Sequence, residues 1–172
     1  MILSILSTFC LTLTPMQNNI YINLPYDDKN FLVTDTRPNC IVLSTYFAIN
    51  FTAVEQKLNT VSYKDLKCLV ENQFKNTYCS LLDLQHFLKR FKIKSKVIGL
   101  KDKNNILNPK FKFFILYIPP KDTSQIGHFA FCSNLNRNVY LWDPMLTSKL
   151  KSNLEDYPEI MKNWNGVILW IE

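Results

Sequence analysis

Gly127 to Pro144 reads GHFAFCSNLNRNVYLWDP. Phe129 to Cys132 is an apolar run of strand type, Ser133 to Asn138 is a polar turn, and Val139 to Trp142 is a second apolar run ending in Asp143-Pro144. Folded as an antiparallel hairpin, this stretch carries His128 and Asp143 together at its open end. An imidazole beside a carboxylate is a base with an orienting partner. The pair lacks a nucleophile, and the residue that can supply one is Cys40, at the head of an apolar stretch far upstream.

Cys40 follows a loop, Asp35 to Asn39. Pro38 biases Arg37 away from helix, and Asn39 is a good N-cap. The next residues, CIVLSTYFAINF, are apolar nearly all round, which predicts a helix buried on most sides; their β-branched content makes a strand the rival. A length of about three turns decides for helix. In its first turn the free N–H groups and the helix dipole stabilise an anion, and so a thiolate at Cys40. Alone, Cys40 reads as a small buried hydrophobe; beside His128 and Asp143 it reads as a nucleophile.

Two further helices are expected. Ser62 and Asp65 make a capping-box-like start to Ser62–Phe74, with Tyr63, Leu66, Leu69, Val70 and Phe74 on one face. Ser80 and Asp83 repeat the device for Leu81–Phe91, whose Leu81, Leu84, Phe87, Leu88 and Phe91 share a face with His86 pointing away. His86 is therefore read as a surface residue, and Cys68 and Cys79 as packing residues. From Lys94 the period changes to that of strands. Lys94–Leu100 and Phe111–Ile118 follow, the second almost wholly apolar and so central in a sheet. On the strand begun by His128, Phe129 and Phe131 are expected on the core face and His128, Ala130 and Cys132 on the other. Gly127 permits a tight backbone beside the histidine. Met145 to Tyr157 is polar with a short helix at most, and Val167 to Ile171 closes the sheet. Helices first and an antiparallel sheet second make an α+β fold.

The 172 residues are one domain's worth: 1–24 an apolar N-terminal segment, 25–172 the domain proper. A hydrophobic fraction of 47% against 20% charged excludes a disordered chain. The net charge of +6 comes from dispersed lysines without a nucleic-acid-binding motif, so no nucleic acid partner is expected. Three glycines leave no room for a Gly-rich phosphate loop, which excludes nucleotide binding of that kind. Five cysteines show no CxxC pair and no metal spacing, so neither metal nor cofactor is expected. Two readings of Ile2 to Leu13 stand open. As a signal-peptide core it makes the protein extracytoplasmic or membrane-associated; as a packed strand or short helix it leaves it cytoplasmic.

From Asn39 to the C-terminus the chain resembles the bacteriocin-processing cysteine peptidases that cut after double-glycine leaders on a papain-like fold. The resemblance rests on NC opening an apolar helix, on SLLDLQHFLKRFKIKSKVIGL, on an apolar strand, and on HFAF…VYLWDP and NGVILWI in that order. It implies Cys40 as nucleophile, His128 as general base, Asp143 as the residue orienting the imidazole, and a peptide or leader substrate, with a separate export transporter as partner. Three departures accompany it. The stretch Thr34 to Asn39 lacks the family's glutamine, which helps form the oxyanion hole, leaving the Cys40 N–H, Thr34 and Asn39 as candidate donors. Ile41 stands where the family has glycine and crowds the cleft, whose other candidate binding residue is Gly127. The fused transporter of many members is not in this sequence. Two alternatives follow: a peptidase-like domain that binds leader or partner peptides without cleaving them, and acyl transfer to an acceptor other than water.

Overall fold

The structure, a computed structural model, describes residues 40–74, 79–120, 127–143 and 151–172. The N-terminal segment 1–24 and the expected Asn39 cap lie outside these residues.

Helix α1, Cys40–Glu55, is buried at every position from Val42 to Ala53. Its polar residues fit because they bond locally. Ser44 Oγ donates to Cys40 O at 2.7 Å, Thr45 Oγ1 to Ile41 O at 2.6 Å and Thr52 Oγ1 to Ala48 O at 2.8 Å. Asn50, fully buried, clamps Val61 by donating to its carbonyl and accepting from its N–H. Helix α2, Tyr63–Gln73, starts at the Ser62 cap, and α3, Leu81–Lys89, at a complete Ser80–Asp83 capping box.

Among the described residues six strands follow: β1 Ser95–Gly99, β2 Phe113–Ile118, β3 His128–Leu135, β4 Asn138–Trp142, β5 Ser152–Asn153 and β6 Val167–Ile171. They form one antiparallel sheet in the order β1-β6-β2-β3-β4-β5, which makes the expected α+β architecture. β6 does not close an edge; it lies between β1 and β2, buried on both flanks.

The helices cover one face. There Phe47 and Phe51 of α1 meet Phe113, Phe131 and Trp142, with ring centroids 4.8–6.1 Å apart. The expectation that Phe129 and Phe131 face the core holds, but Ala130 and Cys132 are buried too. They belong to a second core on the other face, with Phe114, Leu116, Ile168 and Trp164, under α4, Pro158–Asn163. A sheet covered on both sides has no polar face for alternation to reveal.

Smaller corrections have similar causes. β3 runs on through Ser133, Asn134 and Leu135, so the turn is only Asn136-Arg137. Ser133 and Asn134 are buried because Ser133 Oγ accepts from Trp142 Nε1 and Asn134 Nδ2 donates to Ile106 O. The third helix stops at Lys89, two residues early, and the chain reverses through Lys92 at φ 60°. Leu69 is 42% exposed and Cys68 is exposed, so neither packs. Of Met145–Tyr157, residues 151–157 are described and form strand β5 and a 3-10 turn at Leu154–Asp156; the rest of that stretch lies outside the described residues, and a helix, α4, follows it.

The β3–β4 turn has positive φ at both positions, 51° at Asn136 and 68° at Arg137, the geometry of a tight two-residue hairpin. Asn tolerates this; Arg does so at a cost. Arg137→Gly should therefore raise unfolding stability by about 0.5–1 kcal/mol. Denaturant titration of the two proteins checks this, and a fall in midpoint would contradict it.

Candidate active site

The hairpin register places the first two groups. Phe131 pairs with Trp142, and the same register continued by one residue sets Asp143 across from Ala130. Ala130 and His128 share a face, so His128 and Asp143 are diagonal neighbours within side-chain reach. His128 Nε2 lies 2.5 Å from Asp143 Oδ2, a charge-assisted hydrogen bond. The carboxylate is almost sealed, with a side chain 1% exposed; the imidazole is 18% exposed.

Helix α1 brings the third. Cys40 is its first residue, half-buried, and its thiol lies near enough to the His128 imidazole to help raise that ring's pKa. With Nε2 engaged by Asp143, Nδ1 is the nitrogen left for the thiol. Cys40 opens the helix, so its own N–H has no carbonyl four residues back within α1 to donate to.

The electrostatics follow from this packing. Burial alone would lower the pKa of His128, but hydrogen bonds and charge from Asp143 and Cys40 outweigh it and raise it from 6.5 to about 10. Cys79 lies within electrostatic reach of Cys40. Burial first, then Asp83 and Cys40, push its thiol up to about 12, which keeps it protonated. Burial likewise raises the Cys132 thiol, inside the second core.

Of the residues singled out in the sequence, Cys40, His128 and Asp143 come together. Ile41 is half-buried beside Cys40 on the first turn. Thr34 and Asn39 lie outside the described residues. Gly127 precedes β3, and its need is for space: an added Cβ would lie 2.4 Å from Tyr117 Oη and 2.5 Å from Tyr117 Cε2. His86 is exposed on α3, away from the cluster. Two neighbours escaped the sequence. Tyr117 becomes visible only once β2 is paired with β3, and Cys79, expected merely to pack, adjoins Cys40 through the meeting of α1 and α3.

No family model and no curated protein sequence matches the chain. Among solved structures, the peptidase domain of Streptococcus ComA, described as a bi-functional ABC transporter involved in a quorum sensing pathway, is similar. Its TM-score is 0.53 at 13% sequence identity, over 78% of this chain and 93% of that one. The chain therefore has the fold of that peptidase domain.

A raised histidine pKa has a readable sign. Because the folded value exceeds 6.5, protonated His128 adds stability that is complete below pH 6.5 and is lost as pH rises through 10. The chain has two histidines, so His86→Gln leaves one imidazole signal. Its NMR titration should show imidazolium well past pH 8, and adding Asp143→Asn should bring the midpoint down by one unit or more, as expected for loss of a close carboxylate. A midpoint near 6.5 in the single-histidine protein would contradict this geometry.

Proposed function

We propose that this protein is a thiol peptidase that cuts a peptide after small residues, of the double-glycine-leader type, with Cys40 as nucleophile, His128 as general acid and base, and Asp143 as its orienting partner. The observation that carries the reading is the imidazole of His128 held between the Asp143 carboxylate and the Cys40 thiol at a helix N-terminus.

In this mechanism the Cys40 sulfur, as thiolate, attacks the scissile carbonyl carbon and the carbonyl electrons move to oxygen. The oxyanion meets the Cys40 N–H and the positive end of α1, with Thr34 or Asn39 as the second donor where the related peptidases use glutamine. As the tetrahedral adduct collapses, His128 gives its proton to the departing amine and a thioester remains. His128 then takes a proton from water, which attacks the thioester and releases the acid. Asp143 keeps Nδ1 aimed at sulfur throughout and is never itself protonated.

The likeness to a transporter's peptidase domain supports two further assignments: a leader peptide as substrate and a separate export transporter as partner. Ile41, half-buried beside Cys40, is bulkier than glycine, which agrees with a substrate that is small at the cut.

Incubating the protein with synthetic double-glycine leader peptides and reading products by mass tests the proposal. Cleavage should fall after the second glycine, vanish in Cys40→Ala, and slow about 1,000-fold or more in His128→Ala. Peptides that bind but stay intact at every pH between 6 and 9 would instead make this a binding domain.

A further inference from the structure

Resting on that peptidase reading, we propose that Tyr117 determines specificity: its ring walls the cleft on the Cys40 side of His128 and limits the substrate residue there to glycine.

Alternation along β3 turns Phe129 and Phe131 toward the helices, and Gly127 has the same sense. Tyr117 on β2 stands opposite Phe129, their rings 5.2 Å apart and inclined by 39°. From there the phenol reaches back over Gly127. A Cβ on Gly127 would lie 2.4 Å from Oη, 2.5 Å from Cε2 and 2.7 Å from Cζ, closer than non-bonded atoms approach. The residue before His128 is thus bare, and the volume its side chain would fill holds an aromatic ring.

That ring is on the face of the sheet that α1 covers. α1 crosses the same face through Phe47 and Phe51 against Phe131, and it delivers Cys40 to the strand ends. Cys40 and Tyr117 are both half-buried against the same core cluster. A peptide whose carbonyl reaches the Cys40 sulfur passes between the start of α1 and the backbone at Gly127 and His128. Any side chain it turns toward β2 meets the Tyr117 ring, while a hydrogen atom clears it. Cross-strand stacking alone would account for an aromatic residue opposite Phe129. It gives no reason for the ring to lie over Gly127, the residue before the base. Rejection of larger residues by a rigid wall is a specificity device in its own right.

The test is alkylation of Cys40 in the full chain by iodoacetamide and by three chloromethyl ketones, Gly-Gly, Leu-Gly and Gly-Leu, located by peptide mass. The wild type should react with the Gly-Gly reagent at least tenfold faster than with the slower leucine reagent. Normalised to each variant's own iodoacetamide rate, that preference should shrink tenfold in Tyr117→Ala and in Tyr117→Leu, which keeps more of the strand packing, and should survive in Tyr117→Phe. A preference unchanged in the Ala and Leu variants, or absent from the wild type, overturns the assignment of Tyr117 while leaving a reactive Cys40 standing. Iodoacetamide that labels Cys40 no faster than exposed Cys68, with no effect of His128→Ala, takes the peptidase reading down with it.

Discussion

The register of the β3–β4 hairpin is the constraint on which the site depends. A two-residue turn at Asn136-Arg137 pairs Leu135 with Asn138 and Phe131 with Trp142, and this alone sets Asp143 diagonal to His128. A slip of one residue would turn Asp143 to the opposite face and leave a buried carboxylate without its imidazole. Several interactions oppose such a slip. Trp142 Nε1 donates to Ser133 Oγ at 2.9 Å inside the sheet, and Val139, Leu141 and Trp142 are each buried on their assigned faces. The uncomfortable φ of Arg137 is the local cost of a turn whose length cannot change without losing the pair.

The second constraint is the placement of α1. A helix buried all round has no solvent face about which it can rotate, so its N-terminus is fixed by packing. Phe47 and Phe51 lock it across β3, Asn50 ties it to the Val61 backbone, and Tyr46 sets its ring edge against Tyr63 of α2. These contacts lie two to three turns from Cys40. Rigid backbone between them carries that precision to the sulfur, which explains why so much apolar surface is invested in one helix.

The helix starts were legible because capping is local chemistry: Ser62 and Ser80 announce themselves within three residues. The hairpin and its two polar end groups were legible for the same reason. The faces of β3 were not, since alternation reports burial only where one side meets water, and here Ala130 and Cys132 enter a second core as Phe129 and Phe131 enter the first. Ser133 and Asn134 looked like turn because their polarity is visible in sequence and their partners, Trp142 and Ile106, are not. Leu69 looked like core because helical spacing says which residues align, not how wide the covering neighbour is. Tyr117 carried no signal at all. Its place over Gly127 exists only through the β2–β3 register, a pairing between segments separated by a polar loop.

The charge balance around His128 explains how one imidazole can serve both halves of the proposed reaction. Burial disfavours its cation, and Asp143 and Cys40 together more than restore it. With both in place the ring is an acid held ready, as protonation of a leaving amine requires. Acylation changes one of the two partners. Once Cys40 is a thioester, its hydrogen bond and its charge no longer act on the ring, while burial and Asp143 remain. Loss of these two contributions lowers the pKa of His128, the direction that favours a neutral imidazole able to accept a proton from water. In the proposed reaction the covalent intermediate would thereby turn its own acid into the base that removes it. Asp143 sets how far the pKa falls, because it alone still opposes desolvation at that stage. That role accounts for a carboxylate at this position: a neutral amide would orient the ring as well but would leave the buried imidazolium unsupported in the first half of the cycle.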